Sequence, residues 1–233
     1  MLTPLESEAL SLSLKVALWS VAGSLLPGLA IAWLLARREF FGKSLLNGLV
    51  HLPLVVPPVV VGYLLLIGFA RNGPLGAPLH DWFGITLAFT WKGAALAAAV
   101  MAFPLMVRAM RLSLEAVDRR LEAAARTLGA GPVDTFRSVT LPLMAPGILV
   151  GVILAFARSL GEFGATITFV SNIPGETRTL PLALYSLSQT PDGEAGALRL
   201  AVISVVIAFA ALAGSELLAR RLARATASDS ELR

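Results

Sequence analysis

The chain of 233 residues has no cysteine, two histidines and few charges, with only 15% of its residues Asp, Glu, Lys or Arg. Each shortage removes a class of chemistry. Without cysteine there is no disulfide, no thiol nucleophile and no thiolate metal site. His51 and His80 are too few for a histidine cluster. The sequence also lacks HExxH and G-x-S-x-G motifs. "FGKS" at 41–44 looks like the end of a phosphate-binding loop, but the glycine needed five residues before Gly42 is Arg37. No ATP site, metal site or other cofactor site is therefore expected in this chain. "MLTPLESEAL" carries Glu6 and Glu8 and no basic region before the first apolar run. That run exceeds a signal-peptide core, so no cleaved signal peptide is expected.

What fills the chain instead is apolar. A soluble domain has about 25% charged residues and about half apolar ones. Here 56% are hydrophobic and the mean hydropathy is +0.77. Five runs carry the excess, at about 11–36, 47–70, 87–107, 143–165 and 198–218. Each reaches the roughly 20 residues that a helix needs to cross about 30 Å of hydrocarbon. The expected fold is all-α: one polytopic membrane helix bundle over 1–233, with about five transmembrane helices. Pro53, Pro57 and Pro58 interrupt the second run. Proline removes a donor and clashes with the preceding turn, so a kinked helix packed inside the bundle is expected there. A plain packing kink and a place on a transport route both remain open for Pro57 and Pro58.

The net charge of +4 would suggest nucleic acid for a soluble chain. In a membrane chain, lysine and arginine mark cytoplasmic loops, and no nucleic-acid partner is expected. The first loop, the loop at about 108–142 and the tail at about 219–233 hold 13 of the 19 basic residues. The N-terminus then lies outside and the C-terminus in the cytoplasm, which requires an odd number of spans.

Within the long cytoplasmic loop, Leu114, Val117, Leu121, Ala124, Ala125 and Leu128 recur at helical spacing. Asp118 suits an N-cap, Glu122 and Arg126 form an i,i+4 pair, and Gly129 with Pro132 ends the helix. A short amphipathic helix on the cytoplasmic face follows. Membrane surface, the chain's own bundle and a partner protein compete for it. The alanines Ala123, Ala124 and Ala125 favour close approach to protein.

The same stretch resembles the cytoplasmic signature of ABC importer permeases, E-A-A, three residues, G, nine residues, I/V-x-L-P. Glu122-Ala123-Ala124, Gly129 and Val139-Thr140-Leu141-Pro142 carry the likeness. Blocks such as "HLPLVVPPVVVGYLLL", "FPLMVRA" and "GEFGATITFVSNIPGETRTLP" look like the molybdate branch of that family, with sulfate permeases as its nearest neighbours. The resemblance covers about residues 10–220. It implies a type I ABC importer permease in the bacterial inner membrane, working as a homodimer. It also implies two separate ATPase subunits, which would bind the ATP and Mg, a periplasmic molybdate-binding protein, and molybdate or tungstate as the transported oxyanion within the lipid bilayer. Asp118, Leu121, Glu122, Ala123, Ala124, Arg126, Leu128, Gly129, Leu141 and Pro142 are then the expected ATPase-coupling residues.

Arg158 and Glu162 stand four apart in the fourth run and would share a helix face. A buried ion pair that fixes packing and an anion route lined by Arg158, Glu162, Phe163 and Gly164 are the two readings. Gly161 and Gly164 would let another helix come close. The outer loop at about 166–197 is expected to form a short helix in "TLPLALYSLSQ", with Asn172, Arg178 and Gln189 as contacts for the binding protein or as plain solvated residues. An ion-gradient transporter would require inverted repeats and unpaired mid-membrane carboxylates, and neither is evident. A membrane enzyme would require a catalytic cluster, and none is evident.

Overall fold

The computed structural model describes residues 3–231, with side chains described to residue 214. Among the described residues every regular element is helical. The first helix, α1 (Pro4–Arg37), opens on a reciprocal cap. Thr3 Oγ1 accepts from the Glu6 amide at 3.3 Å, and Glu6 Oε2 accepts from the Thr3 amide at 2.8 Å. Two of the donors left unpaired at a helix start are thereby satisfied. The helix begins seven residues before the expected span, because this cap, not the first apolar residue, sets its start.

The chain then forms α2 (Lys43–His51), a 3-10 turn (Leu52–Leu54) and α3 (Pro58–Phe69). The axis bends by 110° between Leu54 and Pro58. The expected kink is thus a full break. Pro57 and Pro58 supply no amide hydrogen, and each disfavours the α conformation in the residue before it. A single proline is carried inside α1, α5 and α8, but here two in succession end the helix at 55–57. After α4 (Gly76–Phe83) comes α5 (Trp91–Ala116), then α6 (Arg119–Thr127) and α7 (Pro132–Thr135). A π-helical turn (Phe136–Thr140) joins α7 to α8 (Leu141–Leu160). The series ends with α9 (Gly164–Val170), α10 (Leu180–Ser188) and α11 (Glu194–Glu231).

Helix α5 is the hub. Buried residues make up 61% of its most apolar stretch, against 11% for α11. Gly93, Ala94, Ala95, Ala97, Ala98 and Ala102 line its buried face. Residues that small let α1 and α9 lie close on it. Gly147 and Gly151 bring α8 against its other half, and van der Waals packing is what holds helices together in lipid. A second buried cluster, with Leu35, Met106, Met110, Leu114 and Met144, joins the far ends of α1, α5 and α8.

Polar contacts mark which ends belong together. At one end the Glu6 carboxylate, 2% exposed, accepts from Arg199 Nε at 3.1 Å and Nη2 at 2.9 Å, joining the starts of α1 and α11. There too Glu176 accepts from the Trp91 amide at 3.2 Å. Lys15 rests its ammonium 3.7 Å from the centre of the Trp91 ring, which gives a charge inside an apolar run a partner. At the other end Arg37 meets Glu122, and Arg111 Nη1 donates to Asn47 Oδ1 at 3.1 Å. The chain leaves α1 at the second end and enters α5 at the first. The broken α2–α3 pair therefore carries it back across, which makes five crossings. The arginine-rich end is the cytoplasmic one by the charge rule.

Span boundaries move where tertiary contacts extend a helix. Helix α5 runs on to Ala116 because Leu114 is packed in the core. The fourth span is helical from Pro132 and stops at Leu160, not 165. The expected tail at 219–233 has its side chains outside the described residues.

Candidate functional site

Two places combine irregular backbone with polar side chains, and α6 is the first. Asp118 Oδ1 accepts from the Arg120 amide at 2.8 Å and caps the helix as expected. At the other end Gly129 takes φ +91°, and the Ala130 amide reaches back to the Ala125 carbonyl at 3.1 Å. That six-to-one bond with a left-handed glycine is a Schellman stop.

Glu122 does not pair with Arg126. Its Oε1 accepts from Arg37 Nη2 at 2.9 Å and from Thr140 Oγ1 at 2.7 Å. Glu122 and Arg37 have side-chain exposures of 14% and 10%. A guanidinium this buried needs a carboxylate, and the end of α1 brings Arg37 over the inner face of α6. The expected stripe also divides. Leu114 and Val117 are buried on the bundle side, whereas Leu121 is 49% and Leu128 is 89% exposed. Ala123, Ala124 and Arg126 are exposed as well, and nothing on α6 is fully buried. So α6 is hooked to the bundle by one polar side chain and turns Leu121, Ala124 and Leu128 away from it. Leu141 and Pro142 begin α8 directly after the π-helical turn that contains Thr140.

The signature's register needs a correction. Four residues, Ala125 to Leu128, separate Ala124 from Gly129, where the signature has three. With Gly129 and Leu141-Pro142 in place, its first three positions fall on Ala123, Ala124 and Ala125, and Glu122 stands one residue ahead.

The second place joins the two breaks. The first residues of α3 and α9 meet, and a Cβ built on Gly164 would lie 2.8 Å from Pro58 Cβ. One built on Gly62 would collide with the Ala165 carbonyl. The helices therefore touch backbone to backbone, and only glycine fits at these positions. Gly161 faces no neighbouring helix, contrary to expectation. Glu162 lies beyond the end of α8, so it shares no helix face with Arg158. The turn at Gly161 nevertheless puts Arg158 Nη1 2.6 Å from Glu162 Oε2. That contact lacks hydrogen-bond alignment, since Oε2 has no hydrogen-bond partner. Oε1 accepts from the Ala165 amide at 2.8 Å and so caps α9. Phe163 packs on Tyr185 of α10, with ring centres 5.3 Å apart.

In the outer segment α10 forms where expected. Asn172 and Arg178 are committed to internal contacts. Asn172 Nδ2 donates to Ser186 Oγ at 2.7 Å, and Arg178 Nε donates to Asn172 Oδ1 at 3.0 Å. Gln189, at the end of α10, is exposed. Sequence reasoning missed Arg37, Thr140 and Gly62. Thr140 had a signal, as the variable position of the V-x-L-P segment, and Gly62 had another, as a small residue just after paired prolines.

Known proteins share this plan. The family described as "Binding-protein-dependent transport system inner membrane component" matches residues 28–224. The molybdenum transport system permease protein ModB of Escherichia coli (strain K12) is 64% identical over 219 residues, covering 94% of this chain and 96% of the relative. The sulfate transport system permease protein CysW of Synechococcus elongatus is 42% identical over 202 residues, covering 85% and 70%. Among solved structures, a bacterial alginate ABC transporter has a TM-score of 0.74 at 15% identity, covering 94% of this chain and 80% of that one. The MetNI methionine ABC transporter, in an inward-facing conformation, has 0.70 at 17%, covering 95% and 99%. At those identities the two structures speak for the fold alone. With that fold, five crossings and a family match over most of its length, the chain belongs to the binding-protein-dependent transport system inner membrane components, the multi-pass permeases of ABC import systems.

Proposed function

We propose that this chain is the permease through which a bacterial ABC importer moves molybdate, and tungstate with it, across the inner membrane. The observation that carries the substrate is the 64% identity to a molybdenum permease over 94% of the chain. Energy comes from two separate ATPase subunits, which bind ATP and Mg. They dock on the outward face of α6, where Leu121, Ala124 and Leu128 have no partner within the described residues. A second copy completes the pathway, and a periplasmic molybdate-binding protein delivers the anion at the end that carries Gln189. The route passes the junction of α3 and α9, beside Pro57, Pro58 and Phe163. There Arg158 is partly neutralised by Glu162, which suits release more than tight holding.

Uptake of labelled molybdate, in cells carrying the cognate binding protein and ATPase, tests the substrate. Tungstate should compete strongly and sulfate weakly. Equal competition by sulfate would favour a sulfate permease, a reading supported by the 42% identity to CysW.

A further inference from the structure

A cavity of about 1090 Å³ lies between the cytoplasmic half of α1 and the α6–α7 segment. Its lining changes character along α1. At the cytoplasmic end stand Arg37, Arg38, Arg119 and Arg126, with Glu122 as the one carboxylate. Glu122 is already taken by Arg37, and Arg38, Arg119 and Arg126 form no ion pair among the described residues. Toward the membrane centre the lining becomes Leu26, Leu29, Ala30 and Trp33, faced by Val133 and Phe136. Leu26 to Arg37 is 11 residues, about 16 Å at 1.5 Å per residue, so the cavity runs from headgroup depth well into hydrocarbon. Trp33 stands between the two zones, where amphipathic rings settle.

Two buried polar groups in this lining lack partners. Arg37 Nε and Thr135 Oγ1 are buried with no hydrogen bond, and Thr135 is only 2% exposed. An unpaired buried donor is costly. Both atoms lie behind the cavity wall, so they mark a polar lining without themselves touching its contents.

We propose that this cavity holds one anionic phospholipid of the cytoplasmic leaflet. Its phosphate sits among the arginines, and its acyl chains lie along Leu26, Ala30 and Trp33. A basic pocket between helices on the cytoplasmic side suits such a headgroup. The apolar half separates a lipid from a free anion, for which that half would have no use. The proposal is independent of the transported substrate and uses none of Leu121, Ala124 and Leu128, the docking face of α6, although Glu122, Ala123 and Arg126 belong both to this lining and to the expected coupling set.

Native mass spectrometry of the purified full-length chain, with whatever subunits accompany it, tests this with phosphatidylglycerol and phosphatidylcholine as probes. One phosphatidylglycerol per chain should be retained at concentrations where phosphatidylcholine is lost. Arg38→Gln with Arg119→Gln should weaken retention about thirtyfold, taking one near-surface charge as about a fivefold effect. Ala30→Trp fills the apolar half, leaves every arginine in place and should also remove the lipid. It decides the matter if the arginine variant does not fold. Unchanged retention in the variants that fold, or equal retention of the two lipids, would overturn the proposal. So would displacement by millimolar inorganic phosphate or molybdate, which would make this a small-anion pocket. Cross-links that place another protein chain in the cavity, with no lipid retained, would overturn it as well.

Discussion

Glu122 shows how much one side chain can do here. It holds Arg37 from α1 and Thr140 from the start of the fourth span on the same oxygen, so it joins three segments at the cytoplasmic end. Removing one partner of a buried ion pair costs about 3–5 kcal/mol, mostly because the other charge is left unpaired. Glu122→Lys puts two cations together, and it should lower the melting temperature and abolish co-purification of the ATPase. Adding Arg37→Glu should restore part of both, because the pair re-forms with its signs exchanged. No recovery in the double variant would mean that Glu122 meets the partner directly. Gly129 behaves differently. Nothing lies within 4 Å of where its Cβ would be, so only its left-handed backbone resists substitution. Gly129→Ala should cost about 1–2 kcal/mol, and Gly129→Asn less, read as thermal stability of the purified permease.

At the scale of elements, the spans were legible because hydrocarbon selects long apolar runs whatever their neighbours. The cap of α6 at Asp118 and its stop at Gly129 were legible for a similar reason: both are local chemistry. The break at Pro57-Pro58 could be read as an interruption, but its 110° angle could not. That angle is set by how α3 packs on α9, some 100 residues later. The inward turn of Glu122 was hidden likewise, since its partners lie 85 and 18 residues away in sequence and only folding brings them within reach. Periodicity alone merged Leu114 and Val117 with Leu121 and Leu128, although the first pair lies at the end of α5 and the second on α6 and its C-cap, and they face opposite surroundings. The contact of α3 with α9 carries a sharp expectation. Gly62→Ala should abolish uptake and reduce the amount of folded protein, because the new methyl meets backbone that cannot rotate away. Gly48→Ala, with open space around it, should leave uptake unchanged and so serves as the matched control. Equal behaviour of the two would disprove the close packing.

Across the whole molecule, the absence of cysteine becomes an experimental advantage. Any single cysteine introduced is the only thiol in the chain, so membrane-impermeant maleimide can report orientation directly. Gln189→Cys should react in intact cells. Leu128→Cys should react only after the membrane is opened. The reverse pattern would invert the topology and with it the cytoplasmic placement of α6. The two ends also differ in construction. Among the described residues, the outer end is tied by Glu6 with Arg199 and by Glu176 with Trp91, and the inner end by Arg37 with Glu122 and Arg111 with Asn47, with the apolar face of α6 left exposed there.

The glycine contact between α3 and α9 has a mechanical consequence. Two helices separated by a layer of side chains can slide as rotamers exchange. In their first turns these two meet at the main chain, at Gly62 and Gly164, and no such layer exists there to rearrange, whereas farther along Phe69 and Phe169 pack ring to ring. Sliding of one helix past the other is therefore resisted at that crossing. The pair is joined to the preceding helices through 55–57 and 161–163, where turn bonds from Val55 and Val56 to Leu52 and from Glu162 to Ser159 replace the regular helical ladder. Bending of the pair against those helices is therefore expected at these short stretches, and Pro57, which fixes one torsion there, limits the arc of the first.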